Sequence, residues 1–336
     1  MTEMLHETGA PVCDPDGRWR ITRHADVVAA LTDPRLIVPP PVSATGGPLE
    51  RLRAQVSRFS NGPAHAQRRS AAVAALAPLD PAALQAAAAQ RMDAVLAGGG
   101  RIDLTPRLRT IPVSILAEAL GVKPELSPLA TRSVIAIAAA YQPGAAPEAV
   151  AAADQAVIWL SAVLAESRDA AVGSGELSGV AVVWTTLLVQ ACDATAGLIG
   201  NALVRIMEGG WRDVPVAAVL RETLRHDPPV RATVRVAAAD AEVGGQPIAA
   251  GETLLLDLAA ANRDPEVFRD PGRFTPDRPE TAALTFGTGL RPCPADRLAT
   301  ALAAGAVEAA RYCESAAVEY GPAGNLRIPR RLEVLA

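Results

Sequence analysis

Aromatic residues are scarce: four Phe, four Trp and three Tyr in 336 residues, 3% of the chain. Half of the residues are nevertheless apolar, so alanine carries much of that content, a composition that favours helix. Positive charge is not in excess either. A net charge of −4 and a pI near 5.7 supply no concentrated positive surface, which excludes nucleic acid as a partner. The four cysteines, Cys13, Cys192, Cys293 and Cys313, form no CxxC pair and no metal-ligand cluster. Reduced thiols in the cytoplasm are therefore expected. No charged n-region followed by an apolar h-region opens the chain, so no secretion signal is read.

The length allows roughly two domains of about 150 residues each, and it is ample to bury a core around a cofactor. No internal repeat, long linker or boundary divides it, so one domain over residues 1–336 is expected. The stretch 179–207 is apolar enough to resemble a membrane span, but it contains Gln190, Asp193 and several Thr, which are costly in lipid. It reads as a buried central helix, and no membrane anchor is expected.

Along the chain, residues 19–31 read as a short strand turning into a helix. Residues 38–60 form a Pro/Gly-containing loop with a basic, helical middle. Asn61-Gly-Pro opens an alanine-rich helix, with Asn61 as N-cap and Pro63 in the first turn. Ala-rich helices follow to about residue 169, broken at YQPGAAPE, and after the apolar helix another runs to His226, where Asp227-Pro-Pro stops it. From residue 232 the texture changes to alternating apolar and polar residues around Gly-Gly and Ala-Gly turns, the signature of short strands and hairpins. A helix returns after Cys293 and runs to about Cys313. The fold class is mainly α with a minor β-sheet region.

The strongest chemical signal is FGTGLRPCPA, residues 286–295. Gly287 and Gly289 let a loop approach a flat ligand where a Cβ would clash. The loop then delivers Cys293 to the start of a helix, with Pro294 suited to its first position. There the helix dipole and unpaired N–H groups favour a thiolate, the species that ligates iron. Taken alone, the same residue is equally a small buried cysteine at a helix start.

The segment resembles the haem-binding loop of the cytochrome P450 family, F-G-x-G-x-[HR]-x-C-x-G: Phe286, Gly287, Gly289, Arg291 and Cys293 match, and Ala295 replaces the last glycine. The resemblance implies Cys293 as the axial ligand of haem b (protoporphyrin IX iron) and Arg291 as a propionate ligand. Four further blocks resemble the family in order. His65 and Arg69 of HAQRR share a helix face at i, i+4, and in the family this pair binds a propionate; otherwise they are an exposed basic face. Arg235 matches the strand arginine that binds a propionate. Glu222 and Arg225 of ETLR, neighbours at i, i+3, resemble with Arg273 of DPGRF the family's buried Glu-Arg-Arg network; a solvated surface pair is the alternative. The stretch AANRDPEVFRDPGRFTPDR is close to the family wording throughout. The whole therefore resembles a shortened, soluble bacterial-type P450 that lacks the usual first helix, with trimmed connections at AAVGSGELSG and EGGWRDVP.

The central helix departs from the family. The usual A-G-x-[DE]-T-[TS], whose acid and first Thr manage proton delivery, is here QACDATA. Asp193 takes the acid position, Ala194 the first alcohol position and Thr195 the second, about 100° further round the helix. Gln190 and Ala191 replace the small pair. Water or a substrate hydroxyl can supply the missing group. Gln190, Arg231 and Thr233 are candidate substrate contacts by the same alignment, although Arg231 is equally a solvated side chain.

The resemblance implies oxidation of a small-molecule, natural-product-like substrate with O2. No flavin or nicotinamide fingerprint is present, so electrons would come from a separate ferredoxin and reductase. Ala194 and Gln190 favour a second possibility, a haem-thiolate enzyme that uses peroxide or rearranges an N–O or O–O substrate. A third is a helper protein of the same fold without haem, against which the intact haem motifs speak.

Overall fold

The computed structural model of the chain describes residues 7–40, 46–141, 144–167, 179–321 and 325–336. Strands β1 (Val12–Cys13) and β2 (Arg18–Ile21) lead into α1 (His24–Thr32) and β3 (Leu36–Ile37). Then come α2 (Pro48–Gln55), a 3₁₀ turn at Ser57–Phe59, α3 (Gly62–Leu76) and α4 (Pro81–Leu96). After β4 (Arg101–Asp103) follow α5 (Thr105–Ala119), α6 (Ser127–Ala140), α7 (Pro147–Ser167) and α8 (Gly179–Gly209). Next are α9 (Val216–His226), β5 (Ala232–Ala237), β6 (Ala241–Val243), β7 (Gln246–Ile248), β8 (Thr253–Asp257) and a single turn, α10 (Leu258–Ala261). The chain closes with α11 (Asp296–Ala310), β9 (Glu314–Tyr320) and β10 (Pro329–Leu335). About 52% is helical, as the alanine content anticipates. The trimmed segment AAVGSGELSG lies, but for its last residue, outside the described residues.

The larger core forms around α8. Its 31 residues are apolar nearly all round, the pattern of an enclosed helix, and Leu188, Ile199 and Leu203 are fully buried among α5, α6, α9 and α11. Each such burial stabilises by roughly 1.5–3 kcal/mol. By length and composition both α7 and α8 could cross a membrane. They differ in surroundings: α8 is enclosed, whereas Ile158 and Trp159 leave α7 with an exposed apolar edge.

The second core lies between α1 and a five-stranded sheet of order β1-β2-β8-β5-β3, in which β2 and β8 are parallel and the other pairs antiparallel. Register across β5 and β8 pairs Thr233 with Leu256 and Arg235 with Leu254. Alternation puts Thr233 and Arg235 on one face of β5. A three-stranded sheet, β4-β10-β9, and the β6–β7 hairpin complete the fold.

Three local expectations need correction. Asn61 sits at the N-cap of α3 but its side chain does not cap; it exchanges hydrogen bonds with the backbone of Val38 instead. Pro294 is not the first residue of a helix, because α11 begins at Asp296 with Ala295 as N-cap. The missing Cβ of Gly289 faces protein rather than a ligand, since it would lie 2.6 Å from the Leu31 carbonyl oxygen. Gly287 and Gly289 are required chiefly by their φ of +70° and +65°.

Candidate active site

The cysteine loop is pinned from three sides. The Gly287 N–H donates to the Leu284 carbonyl at 2.7 Å, and the Cys293 N–H closes the loop on the Phe286 carbonyl, also at 2.7 Å. Leu290 donates to Leu31 at the end of α1. Arg291 reaches the turn ahead of α3, donating to the Ser60 carbonyl at 2.6 Å and to Asn61 Oδ1 at 2.8 Å. Asn61 thus joins the loop, the start of α3 and the segment after β3. An Asn before Gly-Pro suggested only a cap, and the sequence carries no signal for this longer-range role.

Cys293 is half-buried, and its Sγ accepts from the Ala295 N–H at 3.4 Å. Burial pushes the thiol pKa up, opposed by the Ala295 hydrogen bond and the charge of Arg69. This corrects the expectation of a dipole-stabilised thiolate: without a metal, burial prevails and the thiol stays neutral. A bound cation reverses that balance by taking the proton's place.

Around the thiol the structure collects cations. Arg235 projects from β5, with Nη1 donating to Thr233 Oγ1 at 3.1 Å and to the Val234 carbonyl at 2.9 Å. Burial lowers its pKa to about 10, and Arg291 and Arg58 push the same way. Arg291 is lowered by burial and by Arg69, and His65 by burial, Arg291 and Arg69. Arg69 therefore acts on Cys293, His65 and Arg291 together, which puts the thiol within range of this basic group. No carboxylate contributes to any of the shifts at Arg235, Arg291 or His65. Partly buried cations without counter-ions are costly, and such a set calls for an anionic group.

On α8, Asp193 Oδ1 accepts from Arg109 Nε of α5 at 2.7 Å. The pair forms one wall of a cavity of about 440 Å³ that also touches Tyr320 and Arg327. Ala194 is half-buried, and the Thr195 hydroxyl is buried with no hydrogen-bond partner among the described residues. Gln190 donates to the Thr186 carbonyl of its own helix at 3.4 Å. Arg231 belongs to a different neighbourhood. Its backbone is tied to Asn325 and Ala259, and its charge is felt at Arg263, beside His226 and Asp227. Thr233 acts on Arg235 instead of projecting alone.

The buried network differs from expectation in one member. Glu222 is chelated by Arg225, Nε to Oε2 at 2.9 Å and Nη2 to Oε1 at 2.7 Å. The second arginine is Arg278, whose Nε lies 3.4 Å from Glu222 Oε1. Arg273 is exposed and contributes only its carbonyl, which accepts from both Arg225 and Arg278.

The sequence model of the family "Cytochrome P450" matches residues 215–302, the stretch that carries Glu222, Arg225, Arg235, Arg278 and the cysteine loop. The chain belongs to the cytochrome P450 family. Cytochrome P450 119 of Sulfurisphaera tokodaii is 37% identical over 32% of this chain and 30% of its own length. Cytochrome P450 107B1 of Saccharopolyspora erythraea is 29% identical over 82% of this chain and 76% of its own. The first of these matches thus spans less than a third of the relative. Among solved structures, P450BioI in complex with an acyl carrier protein ligated to hexadec-9Z-enoic acid superimposes with a TM-score of 0.84 at 22% identity, covering 95% of this chain and 92% of that one. It shares the P450 fold. The P450 family implies a haem iron cofactor. The residues present fit it: a thiol as soft iron donor and, within electrostatic range of it through Arg69, the guanidiniums of Arg291 and Arg235, on which no carboxylate acts.

Proposed function

We propose that this P450 is a haem-thiolate monooxygenase, one domain over residues 1–336, located in the cytoplasm and acting on a small, natural-product-like molecule. Electrons would come from a separate ferredoxin and reductase. One observation supports the proposal: the charge of Arg69 acts on the Cys293 thiol as well as on Arg291 and His65, Arg291 in turn acts on Arg235, and no carboxylate acts on Arg235, Arg291 or His65.

In this reading the cofactor is haem b. Cys293 holds the iron, and Arg235, Arg291, Arg69 and His65 hold the propionates. When bound, the haem supplies the redox chemistry of oxygen insertion, with the thiolate donating electron density to the metal. The chain's residues do the rest. Thr233 orients Arg235 by accepting its Nη1–H, and the turn at Ser60 and Asn61 fixes the Arg291 guanidinium through its Nη2. Arg109 anchors the Asp193 carboxylate beside the cavity behind α8, where it can pass protons from that side of the helix. Ala194 offers no hydroxyl, so water or a substrate hydroxyl has to complete the relay next to Asp193 and Thr195. Gln190 and Thr233 border the substrate space in this reading.

Ala194 and the firm Arg109–Asp193 pair also favour a second reading, in which the enzyme uses peroxide or rearranges an N–O or O–O substrate without reductant. Turnover with and without NADPH, ferredoxin and reductase separates the two. Product that strictly requires NADPH and O2 supports the monooxygenase; product formed equally without reductant overturns it.

A further inference from the structure

We propose that Asn61 is the positioning residue for Arg291, and that its neutral amide leaves the guanidinium charge free for a haem propionate. The proposal rests on the haem-thiolate reading above and adds the residue that sets one of its cations.

Arg291 stands in the cysteine loop and reaches across to the turn ahead of α3. Its Nη2 donates to the Ser60 carbonyl at 2.6 Å and to Asn61 Oδ1 at 2.8 Å, and its Nη1 to the Ser57 carbonyl at 3.4 Å. All three acceptors are uncharged, and among the described residues no Asp or Glu pairs with Arg291. The Nε–H has no partner among them. The turn that supplies the acceptors is itself held. The buried Ser60 hydroxyl donates to the Val56 carbonyl at 2.6 Å and accepts from Arg68 of α3, which also donates to the Ala54 carbonyl at 2.8 Å. Gly62 takes a φ of +56°, so the chain turns into α3 without using the Asn61 side chain as a cap.

The Asn61 amide is fixed at both ends. Oδ1 accepts the Val38 N–H at 3.2 Å besides the Arg291 bond, and Nδ2 donates to the Val38 carbonyl at 2.9 Å. Turning the amide over would set donor against donor at both Val38 and Arg291. Aspartate has the same shape but no donor, so one of its oxygens would face the Val38 carbonyl, acceptor against acceptor. Its other oxygen would bind Arg291 as an ion pair, a stronger bond than the present one, and would neutralise it. Asparagine satisfies both Val38 groups and still leaves Arg291 a cation, the form that holds an ionised carboxylate.

The test compares haem-loaded native, Asn61→Asp and Asn61→Ala proteins by haem transfer to apomyoglobin and by the ferric–ferrous midpoint potential. Asn61→Ala loses a neutral acceptor and should speed haem transfer by about threefold to tenfold at an unchanged potential. Asn61→Asp costs a charged hydrogen bond to the propionate and should speed transfer by more than about tenfold. Its potential should also become more negative, because an added negative charge favours the ferric state. A residue that only held shape would give the opposite ranking, since aspartate keeps the acceptor that alanine lacks. In an Arg291→Leu background, Asn61→Ala should add less than about twofold, because the two residues act as one unit. The proposal is overturned if Asn61→Asp keeps haem as well as the native protein or better than Asn61→Ala, or if its potential does not move. A full additional effect of Asn61→Ala on top of Arg291→Leu overturns it as well. Should Asn61→Ala fail to fold, the comparison of Asn61→Asp with the native protein decides alone. A native protein without a thiolate Soret band overturns the haem-thiolate reading and this proposal with it, whereas a normal band with unchanged haem transfer in Asn61→Asp overturns this proposal only.

Discussion

Replacing Glu222 by alanine removes the one carboxylate shared by two buried guanidiniums. Arg225 is 1% exposed and all five of its N–H groups are engaged: two on Glu222, two on the carbonyls of Asn262 and Pro271, and one on that of Arg273. Arg278, 5% exposed, donates to Glu222 and to the carbonyls of Arg269, Asp270 and Arg273. Glu222 also accepts the Thr275 N–H at 2.8 Å, which ties α9 to the loop ahead of the cysteine. Deleting it strands positive charge in the interior, at a cost of about 3–5 kcal/mol. That is a large share of a net stability of about 5–15 kcal/mol. With an unfolding entropy of about 2.1 cal/mol/K per residue over 336 residues, a loss of about 4 kcal/mol lowers Tm by about 6 °C. Arg273→Ala, which removes only an exposed side chain, should change stability by about 0.5 kcal/mol or less. Thermal melts and yields of soluble haem-loaded protein for both variants are the assay. Equal losses in the two, or a Glu222→Ala protein as stable as the native one, would refute the network as described.

Three further outcomes follow from the geometry. His226 Nε2–H donates to the Gly272 carbonyl at 2.8 Å and Nδ1 accepts from Arg263, which requires a neutral ring. Burial and then Arg263 lower its pKa from 6.5 to about 4. The unfolded chain then binds more protons between those values, so stability is full above pH 6.5 and falls toward pH 4, by about 3 kcal/mol at the limit; melts of native and His226→Gln protein at pH 7 and 5 should show the smaller drop in the variant. Arg235→Leu or Arg291→Leu should weaken haem retention by about 1.5–3 kcal/mol, the worth of a charged hydrogen bond, and unchanged haem transfer to apomyoglobin in both would count against the clamp. A positioned alcohol typically contributes about 10²–10⁴-fold to a proton-dependent step, so Ala194→Thr should hold or raise product per NADPH in a monooxygenase and give no gain in a reductant-free enzyme.

The fold class and the cysteine loop were legible because their determinants are contiguous. Alanine-rich helices punctuated by Pro, a Gly-Gly hairpin and the run from Phe286 to Cys293 each speak within a few residues. What escaped depends on which side chain the fold turns inward. Arg273 and Arg278 stand five positions apart in one loop, and nothing local says that Arg278 is buried while Arg273 faces solvent. Arg109 meets Asp193 across 84 residues because α5 packs on α8. The raised thiol pKa of Cys293 is likewise a matter of enclosure, set by burial more than by the helix that begins three residues later.

The central claim is that Cys293 is the iron ligand, and the carbon monoxide spectrum of the reduced protein tests it most directly. Native protein should show the strongly red-shifted Soret band of thiolate ligation, and Cys293→Ser should lose it. A Cys293→Ser protein that keeps the band would contradict the assignment.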